Sequence, residues 1–229
     1  MVISENDQFF HAWDKMMKKL PKISCTKTSA LRVTDLEQFR MTDGTPLPVK
    51  KSMLLCRCGA SKNKPFCDGS HVKIGFSGEK KPNRKVDRAV QYKGKDIIIV
   101  DNHGVCSHNG ACWKNSPDVF QPSKFKWIKP DAASREEIIS TIEKCPSGAL
   151  SYIVDGVRQQ NLGREPAIIV DPEGPFEVVG YIELIDDMGS VPESEEHYTL
   201  CRCGLSRNMP FCDGMHLPGV FEKDKESKK

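Results

Sequence analysis

No run of eighteen apolar residues occurs anywhere in the chain, and the first twenty residues, MVISENDQFFHAWDKMMKKL, mix acids and lysines without an apolar central stretch. Neither a membrane-spanning helix nor a secretory leader is expected. A dominant charge is also missing. Against 34 basic side chains stand 31 acidic ones, for a net charge of +3, which is no electrostatic footprint for nucleic acid. No nucleophile–base pair and no phosphate-binding glycine loop stands out, so an enzyme is not expected. With 229 residues the chain can bury a core and hold two or three small units.

Cysteine, by contrast, is abundant: ten residues. A secreted disulfide scaffold would be smaller and would carry a leader. The thiols are therefore read as metal ligands in a reducing compartment, the cytoplasm. Most fall in two segments, CRCGASKNKPFCDGSH at 56–71 and CRCGLSRNMPFCDGMH at 201–216. One sets Cys56, Cys58, Cys67 and His71 at fixed spacing; the other repeats it with Cys201, Cys203, Cys212 and His216. Three soft thiolates and an imidazole make a metal pocket. Over 55–71 against 200–216, thirteen of seventeen positions are identical, too many for coincidence. A shift of 145 residues lays 22–76 on 167–221 without a gap, with Ile23 on Ile168, Val33 on Val178 and Phe39 on Leu184. That period is too long for a solenoid and reads as a duplicated unit with something between. Alternating apolar residues in ALRV and PFEVVGYIEL predict short strands before each ligand loop.

These residues resemble the signature of the CDGSH iron–sulfur (NEET-like) family, in both copies. The resemblance implies that three Cys and one His hold a 2Fe-2S cluster. In each loop Gly59 or Gly204 permits a sharp turn, and Pro65 or Pro210 stiffens the return. Asp68 and Asp213 are expected to cap a short helix carrying the histidine. An oxidised 2Fe-2S core with three thiolates and a neutral imidazole is less negative than one with four thiolates, so it accepts an electron more readily. An exposed imidazole on iron can also be protonated, which makes such a cluster acid-labile and transferable. Arg57, Lys62, Lys64, Arg202 and Arg207 are expected to offset site charge and guide an acidic partner. Met215 replaces Ser70 in the second copy, losing a helix-turn hydrogen bond. A Cys3His zinc site with the same ligands is the competing reading.

Residues 85–160 form the insert. A strand is expected at Asp96–Val100, a short one at Lys126–Lys129, a helix from a Ser134 capping box to Lys144, and a last strand at Leu150–Val154. Cys106, Cys112 and Cys145, the last within CPSGAL, resemble a divergent mono-cluster ferredoxin domain. Asn109 stands where that pattern has a further cysteine. Three thiolates suit a 3Fe-4S cluster, or a 4Fe-4S cluster whose remaining iron takes water, an external ligand or His108. The plainer reading of His108 is a group that supports the cluster without binding it. Buried or redox-active thiols are the plainer alternative. Cys25 reads as a small buried thiol, and His11 and His197 have no evident partner.

The expected class is α+β. Units 22–84 and 161–221 pair about a pseudo-two-fold axis within one chain, and the ferredoxin-like lobe 85–160 sits to one side. A swapped homodimer is the competing arrangement. An amphipathic helix is expected in 1–21 and a solvated tail in 222–229. The resemblance implies a soluble one-electron carrier with two His-ligated 2Fe-2S clusters and one 3Fe-4S or 4Fe-4S cluster. Cluster storage or transfer, redox or pH sensing, a zinc-stabilised interaction module and an electron-entry subunit are the alternatives. Redox proteins or apo iron–sulfur acceptors would be the partners, with no nucleic acid and no integral membrane anchor.

Overall fold

The computed structural model describes residues 20–217. The expectations for the amphipathic helix, His11 and the tail lie outside them. Four strands open the first copy: β1 (Lys22–Cys25), β2 (Leu31–Thr34), β3 (Gln38–Met41) and β4 (Ser52–Leu55). The second copy repeats them at the same offset of 145 residues as β9 (Ala167–Val170), β10 (Phe176–Val179), β11 (Glu183–Asp186) and β12 (His197–Leu200). Most of these strands are short and carry apolar residues on an inner face. Ile23 and Cys25, Leu31 and Val33, and Phe176 and Val178 point inward, as a period of two requires.

The sheets do not respect the copies. One has the order β11-β1-β2-β4, the other β12-β10-β9-β3. Three strands of each sheet come from one copy, and the fourth crosses over from the other. β1 pairs in parallel with β11, from Lys22 opposite Glu183 to Cys25 opposite Asp186. β3 pairs in parallel with β9, from Gln38 opposite Ala167 to Met41 opposite Val170. One core results, joining Ile23, Val33, Phe39 and Leu55 to Ile168, Phe176, Val178 and Leu200. Each fully buried aliphatic or Phe side chain contributes about 1.5–3 kcal/mol, and here both copies supply the burial.

A third, antiparallel sheet belongs to the insert, in the order β5-β6-β7-β8. Its strands are β5 (Ala89–Lys93), β6 (Ile98–Asn102), β7 (Leu150–Val154) and β8 (Val157–Gln159). Helix α3 (Arg135–Ile142) packs Ile138 and Ile142 on Ile99 and Leu150. Ser134 Oγ accepts the Glu137 N–H at 3.3 Å, but the Glu137 carboxylate turns to the Ser116 hydroxyl at 2.9 Å, so the capping is one-sided. The helix stops at Ile142 rather than Lys144. The strand expected at Asp96–Val100 is β6, shifted two residues onward. Lys126–Lys129 is no strand and contributes only an isolated bridge, Phe120 with Ile128. Among the described residues the other α-helices are single turns, α1 (Ser70–Lys73) and α2 (Ala111–Asn115). The chain is thus mostly small β-sheets with few helices, compatible with α+β. Among the described residues no helix is long and apolar enough to cross a membrane.

Candidate metal centres

Each ligand loop leaves its last strand and folds back under the same hydrogen bonds in both copies. The Cys56 N–H reaches the Pro65 carbonyl at 2.9 Å, and the Cys67 N–H the Leu54 carbonyl at 2.8 Å. Their counterparts are Cys201 to Pro210 at 2.9 Å and Cys212 to Thr199 at 3.0 Å. Ser61 and Ser206 donate to the carbonyls of Phe66 and Phe211, each at 2.6 Å. Cis peptide bonds precede Pro65 and Pro210. The aspartates are not helix caps. Asp68 accepts the N–H groups of Lys62 at 2.9 Å and Ser70 at 3.0 Å, while left-handed Gly69 occupies the cap position of α1. Asp213 ties Arg207 and Met215 at 2.8 and 3.3 Å, and among the described residues no helix follows it. Both carboxylates clamp the loop.

The donors come in pairs. Cys56 and Cys58 Sγ are 3.8 Å apart, and Cys201 and Cys203 Sγ 3.7 Å. Cys67 Sγ lies 3.2 Å from His71 Nδ1, and Cys212 Sγ 3.3 Å from His216 Nδ1. Two sulfurs on one tetrahedral metal with bonds of about 2.3 Å stand about 3.8 Å apart. The dithiol pairs meet that value, so the residues fit a site that offers two donors to each of two metals. Among the described residues, no group of three or more His, Cys, Asp or Glu side chains gathers around a single ion position. Backbone N–H groups aim at the sulfurs, including Gly69 at Cys67 (3.4 Å), Ala60 at Cys58 and Gly214 at Cys212. Such N–H groups stabilise thiolate charge. Burial raises the Cys58 thiol to about 11 despite this, so metal binding there must displace a proton.

Glycines 59 and 204 do more than turn. Cys58 and Cys203 face each other in an antiparallel bridge. A Cβ on Gly59 would stand 2.2 Å from the Cys203 carbonyl oxygen, and one on Gly204 would stand 2.2 Å from that of Cys58. The two loops therefore abut at their glycines. Arg57 and Arg202 do not face a partner. Both are buried. Arg57 donates to the carbonyls of Ser29 (2.7 Å) and Thr26 and lies over the Phe76 ring. Arg202 donates to those of Gly174 (3.0 Å) and Asp171 and lies over Phe176. Acceptors at matching places in the two copies make these guanidiniums internal ties. Of the other basic residues of the loops, Lys62 and Arg207 are exposed and Lys64 is half-buried.

In the insert, Cys106 follows a 3-10 turn (His103–Val105), Cys112 sits on α2 and Cys145 follows α3. All three line one cavity with Ser107, Asn109 and Pro146. Burial raises the Cys106 thiol to about 12 and that of Cys112 to about 11. As free thiols they would be poor nucleophiles. The backbone N–H of His108 points at Cys106 Sγ (3.4 Å). Its ring instead lies edge-on to His103, with centroids 5.1 Å apart, and Nε2 is 3.3 Å from Lys85 Nζ. Burial, then the charges of Lys85 and His103, lower His108 to about 4. Cys25 is buried beside Asp186 and pushed up to about 12, mainly by burial. None of the ten cysteines is in a disulfide.

His197 does have partners. Its Nδ1 lies 2.9 Å from Glu196, and its ring also hydrogen-bonds the Cys145 carbonyl. Glu196 in turn takes two bonds from Arg164, at 2.9 and 2.8 Å. Burial would raise this carboxyl, but Arg164 outweighs it and draws it down to about 2. The network joins β12 to the third cysteine of the insert. Nothing in the sequence around His197 announces the network, because Arg164 and Cys145 come to it from two distant segments.

Paired thiol and imidazole donors, with backbone N–H groups turned to the sulfurs, fit an iron–sulfur protein. Comparison with known proteins gives the same class. A family described as iron-binding zinc finger CDGSH type matches residues 29–72 and 173–217, and one described as divergent 4Fe-4S mono-cluster matches 92–155. The uncharacterized protein YjdI of Escherichia coli K12 is 34% identical over 61 residues, 27% of this chain and 80% of that protein. YjdI of Escherichia coli O157:H7 matches to the same extent. No solved structure matches. The chain belongs to the CDGSH-type iron-binding family, with two copies of the motif flanking a divergent mono-cluster domain.

Proposed function

We propose that this is a one-electron redox carrier with two His-ligated 2Fe-2S clusters and one 3Fe-4S or 4Fe-4S cluster. Cys56, Cys58, Cys67 and His71 would hold the first, and Cys201, Cys203, Cys212 and His216 the second. Cys106, Cys112 and Cys145 would hold the third, with Asn109 leaving one iron position without thiolate. The carrying observation is the two-by-two spacing of the donors in both loops. It supports two-metal sites over a structural zinc, whose four ligands surround one ion. The clusters would supply the redox chemistry. The protein's part is to fix donor spacing, direct N–H groups at sulfur and exclude water from the second site. The exchanged strands support a reading in which units 22–84 and 161–221 pair about a pseudo-two-fold axis, with 85–160 as a ferredoxin-like domain. A reducing compartment such as the cytoplasm suits ten unpaired cysteines.

The test is anaerobic iron and acid-labile sulfide analysis with EPR. The expected outcome is two 2Fe-2S centres and one three- or four-iron centre per chain. A colourless, folded, sulfide-free protein carrying zinc would overturn it. One observation favours a second reading, cluster storage or transfer: Cys67 and His71 are only half-buried. Incubation with an apo-ferredoxin separates the two, because a carrier keeps its clusters and a donor passes them on.

A further inference from the structure

The two CDGSH loops share their main backbone hydrogen bonds, yet their surroundings differ at the glycine that follows the aspartate. Gly69 and Gly214 both follow the ligand-loop aspartate, with φ of 85° and 83°. A Cβ on Gly69 would meet nothing within 4 Å. A Cβ on Gly214 would lie 2.6 Å from His108 Cδ2. The imidazole of the insert thus rests on the backbone of the second loop, two residues before His216. Around it, Asn208 Nδ2 donates to the Gly104 carbonyl (3.1 Å), and the Lys81 N–H donates to the Arg207 carbonyl (2.7 Å). The space left is a cleft of about 150 Å³ that includes Lys85, His103, Arg207, Asp213 and Met215 in its lining. It admits water or a small ion but not a partner's loop. The burial follows: Cys212 is 2% exposed and His216 7%, whereas Cys67 and His71 are half-buried.

We propose that the insert, through His108, is a fixed cover over the second CDGSH site, so that this site exchanges its contents with solution more slowly than the first. This rests on the reading that both loops hold clusters. It makes His108 a positioning residue of the second site rather than a ligand in the insert, and it makes the two copies unequal in access though equal in ligands. Backbone geometry supplies a clean probe. His108 has φ of 57°, a conformation that glycine adopts without strain, so His108→Gly removes the imidazole and leaves the loop intact.

The experiment is an anaerobic challenge of the holoprotein with a ferrous-iron chelator, following visible absorbance and released iron. The parent is expected to lose its CDGSH iron in two phases at least five-fold apart. Cys67→Ala removes the fast phase and Cys212→Ala the slow one. His108→Gly speeds the slow phase about five-fold or more and leaves the fast one unchanged. Gly214→Ala, which displaces the imidazole, does the same. Gly69→Ala carries equal backbone strain at an uncovered site and leaves the slow phase alone. Release of both sites in one phase, or a slow phase unaffected by His108→Gly, overturns the cover. Protein without acid-labile sulfide overturns the cluster reading, and the cover with it, and is told apart by the sulfide count.

Discussion

The first and second CDGSH copies share their candidate donors, main loop hydrogen bonds, buried arginine and strand plan, yet one lies half-open and the other closed. The motif sets what the pocket can bind; the neighbours set what can reach it. The first loop carries a one-turn helix with exposed Val72 and Ile74. The second lies beneath the insert. Position 196, equivalent to exposed Lys51 by the repeat, is the buried Glu196 that holds Arg164 and His197. Duplication followed by burial of one copy is a physical route to two sites of one chemistry and different lability.

The largest expected effect tests what the copies have in common. Arg57→Ala and Arg202→Ala each strip buried carbonyls of a charged donor and leave a void beside an aromatic ring. Each should cost about 3–4 kcal/mol in urea unfolding, and the two should agree within about 1 kcal/mol. A strongly unequal pair would break the equivalence of the two interiors. Next, His71→Cys and His216→Cys each add a negative charge to a site. Potentials should fall by on the order of 100 mV, measured by EPR-monitored titration. The drop should be larger at the buried second site, where a charge is less screened. Unchanged potentials in both variants would remove the histidines from the ligand set.

Much of the site was legible because its residues are local. Four donors within sixteen residues need no tertiary information, and the alternation in ALRV and PFEVV marks strands directly. The exchange of β3 and β11 was not legible, since a four-residue strand carries no sign of which copy it will pair with. β5 and β8 carry little sequence signal, because their side chains are mostly exposed and neither strand presents a buried apolar face. Lys126–Lys129 has strand-like residues, but Trp127 is drawn into ring contacts with His103 and Phe120, and the segment forms one bridge only. Arg57 and Arg202 read as surface charges because arginine is rarely buried. The carbonyls that satisfy them come from turns 28 to 31 residues earlier.

Glu196→Gln addresses what only the second copy has. The carboxylate's folded value, about 2, lies below the ordinary 4.5. Its contribution is therefore present above about pH 4.5 and is lost as pH falls toward 2. The variant should lose about 2 kcal/mol at pH 7 and show a flatter decline across that acid window in urea unfolding followed by tryptophan fluorescence. A full loss that persists at pH 2 would assign the effect to packing rather than charge.

The smallest effect concerns the one ligand-loop difference beside the histidines. The Ser70 hydroxyl, then the N–H groups of Lys62 and Ser70, hold the Asp68 carboxyl well below the usual carboxylate range. Methionine at the equivalent position offers Asp213 only its backbone N–H, at 3.3 Å. Ser70→Met should lower Tm by about 1–2 °C, because an exposed hydrogen bond is lost where no cavity opens. Met215→Ser should shift Tm by less than that. Its new hydroxyl can bond Asp213, but the thioether leaves the cleft under His108, and the two changes offset. A larger rise in Tm for Met215→Ser than the fall for Ser70→Met would mean that the cleft gains nothing from the methionine, and that the second loop lost a clamp without compensation when its serine was replaced.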